Sequence, residues 1–143
     1  NAIDFGDLTA ARYGGNKGLV NSPIRAFTCG GSGSSNVIDF IEFASLGDAV
    51  DYGDLLAGKW QTGGASNFTR GINMGGKSPS ITNVVEYLSL QSLGDTADFG
   101  DLSANRLYIS GISSLRRAVA SGGNSPSQVD IIEYVEFAEK RRI

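Results

Sequence analysis

A four-residue block returns twice at a fixed distance, and this repeat limits the possible folds more than any other feature. Phe5-Gly6-Asp7-Leu8 recurs as Tyr52-Gly53-Asp54-Leu55 and as Phe99-Gly100-Asp101-Leu102, 47 residues apart each time. A second block keeps the same spacing: Val37-Ile38-Asp39-Phe40, Val84-Val85-Glu86-Tyr87 and Ile131-Ile132-Glu133-Tyr134. Between them lies a glycine pair, at Gly30-Gly31, Gly75-Gly76 and Gly122-Gly123. The pair slips by two residues in the first unit. Loops tolerate such slips, whereas paired strands must hold register.

Each unit reads as short strands. Val37–Phe43 carries apolar residues on both faces and is bounded by glycine and serine, as expected of a strand covered on both sides. Val84–Leu90 and Ile131–Phe137 are its counterparts. Gln128–Lys140 alone could pass for a helix, but alignment with its siblings makes it a strand. A second strand ends at each glycine pair: Arg25–Cys29, Arg70–Met74 and Arg117–Ser121. A third is Ile3–Leu8, with Val50–Leu55 and Ala97–Leu102. A fourth, less regular, follows Arg12, Lys59 and Arg106. Four strands in about 47 residues, with no helix, is the pattern of a propeller blade.

The glycine pair, the apolar strand with a central aromatic, and the aromatic-Gly-Asp-Leu block followed by a basic residue resemble kelch repeats. The variant with Asn-Val-Ile-Asp-Phe and Asp-Phe-Gly-Asp-Leu is similar to kelch-like arrays in virion structural proteins of tailed phages, notably those of marine cyanobacteria. The pattern departs from kelch in holding Phe5, Tyr52 and Phe99 in place of tryptophan. The expected fold is all-β: three four-stranded antiparallel blades of a kelch-like propeller in a single repeat domain. Its units run over about 9–55, 56–102 and 103–143. The sequence opens inside a unit and ends inside one, so residues 1–8 are expected to complete the last sheet. A self-closed three-sheet body, a six-bladed ring of two chains and a piece of a longer array all satisfy this pattern.

With 143 residues, the chain can bury roughly 68–70% of its unfolded surface. It has one cysteine, so an intrachain disulfide is impossible, and no histidine, which removes the commonest general base and metal ligand. The net charge of −3 disfavours nucleic acid, and the basic tail Lys140-Arg141-Arg142 is too short to change that. No apolar run is long enough to span a membrane.

Four sets of residues could carry chemistry. Asp4/Asp7, Asp51/Asp54 and Asp98/Asp101 could ligate calcium, but Asp at a strand end more often bonds nearby backbone N–H groups. Asp39, Glu86 and Glu133 fall inside the doubly apolar strand, so each needs a cation as partner. Two sets of cations qualify: Arg12/Lys59/Arg106 and Arg25/Arg70/Arg117. Structural ion pairs are therefore expected among Asp39, Glu86, Glu133, Arg25, Arg70 and Arg117. Arg12, Lys59 and Arg106, with Tyr13 and Trp60 beside the first two, could instead ring an axis and bind an anion or a sugar. The glycine pairs lack the Lys-Ser/Thr and the helix of a phosphate loop.

The expected function is that of a non-enzymatic structural or binding module, without catalytic residue, metal or cofactor. The resemblance implies a tail- or capsid-associated role in a virion, or an extracellular location. The implied partners are other virion proteins or copies of the chain itself. A lectin-like propeller with repeated sites, binding a cell-surface glycan, is the alternative.

Overall fold

The computed structural model describes residues 1–12, 19–31 and 33–138. Its described residues form eleven strands and no helix. β1 (Leu19–Asn21), β2 (Arg25–Gly31), β3 (Ser35–Glu42) and β4 (Val50–Asp54) form one antiparallel sheet in that order. β5 (Gly63–Ser66), β6 (Arg70–Met74), β7 (Val84–Ser89) and β8 (Ala97–Asp101) form a second. β9 (Ser110–Ser113), β10 (Arg117–Ser121) and β11 (Ile132–Glu136) form a third, of three strands.

The registers repeat as the sequence does. Phe27 faces Phe40, Ile72 faces Tyr87 and Val119 faces Tyr134 across the central pairs. Ile38 faces Gly53 and Val85 faces Gly100 across the outer pairs, each followed by a register shift at the acidic residue. A bulge conserved in position re-aims the side chain beside it, and here that side chain is Asp39 or Glu86. The glycine pair makes the turn into the next strand. Gly75 and Gly76 take φ of +64° and +99°, where a side chain would be strained.

Two apolar layers hold the sheets together. Phe27, Cys29, Ile38 and Tyr52 of the first sheet, with Leu55 beyond it, pack on Leu88 of the second and on Leu90 just after it. Ile72, Met74, Val85 and Phe99 of the second sheet, with Leu102, pack on Ala118 and Ala120 of the third and on Ile109 and Phe137. At one side the first strands run close together. Asn21 N–H donates to Ser66 Oγ, and Ser66 N–H to Ser113 Oγ. The small residues Gly63, Gly64 and Gly111 permit the approach, since a Cβ on Gly111 would overlap the carbonyl of Gly64.

The expected closure by residues 1–8 is corrected by this arrangement. No closed ring is present among the described residues, and β11 has β10 as its one strand neighbour there. Residues 5–7 lie at the opposite end of the stack. Gly47 N–H donates to Phe5 O at 2.9 Å, and Ala49 N–H to Asp7 O at 2.8 Å. The physical reason is a tether a few residues further on: Thr9 and Arg12 are both bonded to Asp39 of the first sheet. The segment occupies, against the first sheet, the place that β4 takes against the second, where Gly94 N–H donates to Tyr52 O and Thr96 N–H to Asp54 O.

Candidate functional site: the repeated carboxylates

Asp39, Glu86 and Glu133 sit on β3, β7 and β11, on the face turned toward the preceding unit. Each receives a cation and a backbone N–H from the segment that enters its own unit. Arg12 Nη2 lies 2.9 Å from Asp39 Oδ2, Lys59 Nζ 2.8 Å from Glu86 Oε2, and Arg106 Nη2 3.1 Å from Glu133 Oε2. The backbone N–H groups of Thr9, Leu56 and Ser103 donate to the same three carboxylates at 3.0, 3.0 and 2.8 Å. A hydroxyl completes each set: Thr9 Oγ1 on Asp39, Thr96 Oγ1 on Glu86 and Ser103 Oγ on Glu133. Leu56 cannot supply one, and Thr96 does so from the other side, where the first unit has Ala49.

The cations that serve these acids are therefore Arg12, Lys59 and Arg106, which corrects the expected pairing of the acids with Arg25, Arg70 and Arg117. A ring of free cations about an axis would need exposed head groups. Lys59 and Arg106 are buried, and Arg106 also donates to Gly122 O and Ile131 O. Their charge is spent inside the fold, because a buried carboxylate is stable only when paired and hydrogen-bonded. Tyr13 lies outside the described residues. Trp60 is half-buried and forms a backbone bridge with Lys77, as the buried Leu107 does with Asn124.

Arg25, Arg70 and Arg117 do a different job. Arg25 pairs with Glu42 and lies over Phe40; Arg117 pairs with Glu136 and lies over Tyr134. Arg70 lies over Tyr87 and Phe99. The first two also reach the next unit: Arg25 Nη1 donates to Leu90 O and Gln91 O, and Arg70 Nη1 to Phe137 O. They join neighbouring sheets rather than neutralise the buried acids.

Two of the repeated Asp-x-x-Asp acids bond to backbone through their carboxylates. Asp4 and Asp98 accept from Gly6 and Gly100 N–H. Asp48 and Asp95 accept from Asp7 and Asp54 N–H, which ties the first two aromatic-Gly-Asp-Leu blocks to the loops that carry those acids. Among the described residues, no group of three or more His, Cys, Asp or Glu side chains is placed to hold a metal ion. Sequence reasoning missed the hydroxyl partners Thr9, Thr96 and Ser103. Thr9 and Ser103 directly follow the repeated Asp-Leu, and that shared position was the available signal.

The first sheet carries an apolar cleft of about 310 Å³ on its outer face, lined by Leu8, Val20, Ala26, Ile41 and Phe43, with Asp39 also on its wall. No protein-family model matches the chain, and no curated protein matches it.

Proposed function

We propose that the chain is a non-enzymatic structural and binding module, built as a stack of repeated sheets and set in the tail or capsid of a tailed-phage particle. The observation that carries this reading is the use made of the repeated charges. Asp39, Glu86 and Glu133 are bonded within the fold to one cation, one backbone N–H and one hydroxyl each. An active site gathers titratable groups around one point, whereas here equivalent groups recur once per unit and hold each unit's entering segment to its sheet. A stack of this kind presents its loops and open faces to partners. The virion setting rests on the kelch-like resemblance of the repeats.

Quantitative mass spectrometry of purified particles, from the phage that encodes this sequence, tests the reading. The chain should be present in many copies per particle. Its absence from particles that retain their other structural proteins would overturn the proposal, as would turnover of a glycoside, ester or phosphate substrate that a single substitution abolishes.

A further inference from the structure

We propose that copies of this chain associate head to tail, each continuing the stack of the last. The third sheet of one copy packs on the first sheet of the next, and residues 3–8 of that next copy become the fourth strand beside β11. The inference rests on the reading of the chain as an assembly module and names its partner as a second copy.

The two ends of the stack expose the residues that the internal junctions bury. Ile132 is 73% exposed, while its counterparts Ile38 and Val85 are fully buried. Ile112 is 66% exposed, while Val20 and Ala65, at the same place on β1 and β5, are buried. At the other end, Phe43 is 48% exposed, against 1% for Leu90 and 2% for Phe137. Leu8 is exposed where Leu55 and Leu102 are buried. Isolated exposed apolar side chains are ordinary. Here each one matches a position that is buried at both internal junctions, and the two ends carry complementary halves of one junction. The cleft beside Leu8, Ile41 and Phe43 is the place that the first sheet fills on the second.

The backbone agrees. β4 and β8 bond through one edge to β3 and β7, and the opposite edge of β4 carries the bonds to the loop at Gly94 and Thr96. Residues 5–7 already make the second kind of bond, to Gly47 and Ala49. Among the described residues the other edge of this segment pairs with no strand, and β11 offers one. The internal registers fix the pairing. Ile3 would face Tyr134, Asp4 would face Glu133, and Gly6 would face Ile132, with Leu8 N–H donating to Asp130 O as Leu55 donates to Asn36 O and Leu102 to Asn83 O. Arg117, whose counterparts Arg25 and Arg70 each donate to a carbonyl of the next unit, would reach Phe43 O of the next copy. Such a contact joins different patches on the two copies, so it grows into a ring or a filament according to whether the rotation closes.

Light scattering over a range of concentrations tests this. The wild-type chain should rise from 15.0 kDa through multiples of that mass. Ile132→Lys spoils only the tail and Leu8→Lys only the head, so each variant alone should stay at the monomer mass. An equimolar mixture should stop at a dimer, since one sound head meets one sound tail. Hydrogen exchange of the wild type, which needs no variant, should show the amides of residues 3–8 and 131–134 gaining protection as the mass rises. A wild-type chain that stays monomeric up to its solubility limit would overturn the inference. So would a single variant that still associates, a mixture that does not pair, or exchange that is unchanged while the mass rises. None of these failures bears on the particle measurement, which tests the module reading separately.

Discussion

Lys59 Nζ stands 2.8 Å from Glu86 Oε2, with both side chains buried between the first and second sheets. Glu86 also accepts from Leu56 N–H and Thr96 Oγ1, whereas no other partner for Lys59 Nζ is found among the described residues. The pair is thus asymmetric, and the carboxylate holds the cation in place. Glu86→Ala should leave Lys59 charged and alone in an apolar layer, at a cost of about 3–5 kcal/mol. Glu42→Ala breaks a partly exposed pair with Arg25 and should cost only about 0–1 kcal/mol. Urea denaturation of the two variants checks the contrast, and equal midpoints would mean that water reaches Glu86.

Gly53 marks where the outer strand of one unit meets the loop of the next. A Cβ there would overlap the carbonyl of Gly94, a backbone atom that cannot swing away. Gly53→Ala should therefore push the first two units apart, costing ~3 kcal/mol at the upper end of overpacking. Gly33→Ala meets no neighbour but has φ of +74°, so it should cost only the left-handed strain of roughly 1–2 kcal/mol. Thermal melts should rank the variants in that order. The reverse ranking would show that the junction at Gly94 yields easily.

The sheets were legible in the sequence because their causes are local and repeated. Alternation, glycine pairs and a 47-residue period place β2–β4, β6–β8 and β10–β11 to within a few residues of the observed bounds. The choice of partner for Asp39, Glu86 and Glu133 was not legible. Two cations per unit had the right charge, and only the path of the chain from Leu8 through Thr9 to Arg12 brings one of them to the acid. Closure failed for a related reason. The match between Ile3–Leu8 and the open edge of β11 is a property of sequence, but it does not say whether the two meet in one copy or between copies. The tether at Thr9 and Arg12 keeps the segment at the first sheet of its own copy, and a tether is a three-dimensional fact.

Cys29 lies buried in the layer between the first and second sheets. Burial, and secondarily the charge of Glu86, push its thiol up from 9.0 to about 12, against the opposing pull of Lys59 and Arg12. The thiolate forms more readily in the unfolded chain, so the folded state binds the proton more tightly. The contribution to stability is complete below pH 9 and is lost as pH rises from 9 toward 12, at up to about 1.4 kcal/mol per pH unit. Cys29→Ala should lose stability less steeply over that window, measured by urea denaturation at successive pH values. Parallel curves would show that the thiol does not titrate on unfolding. A thiol-alkylating reagent at pH 8 should modify the native chain only as fast as the first two sheets separate, because the reactive species is the thiolate.

Arg70 spans a junction that Arg117 lacks. Its guanidinium lies 5.0 Å from the centre of the Tyr87 ring and donates to Phe137 O of the following unit. Arg70→Met keeps much of the apolar stem but removes the ring contact and strands a carbonyl. A charge-assisted hydrogen bond and a partly desolvated cation–π contact together suggest a cost of about 2–3 kcal/mol. Arg70→Lys keeps the charge but loses the planar fork that stacks and donates at once, so it should recover only part of that loss. Arg117→Met changes a side chain that has its own ring contact, with Tyr134, and a pair with Glu136, but no bond to another unit among the described residues. In dilute solution it should shift the urea midpoint far less than Arg70→Met. Similar shifts for the two would mean that Arg70 stabilises its own sheet alone, and the carbonyl of Phe137 would lose its place in the account of how the units join.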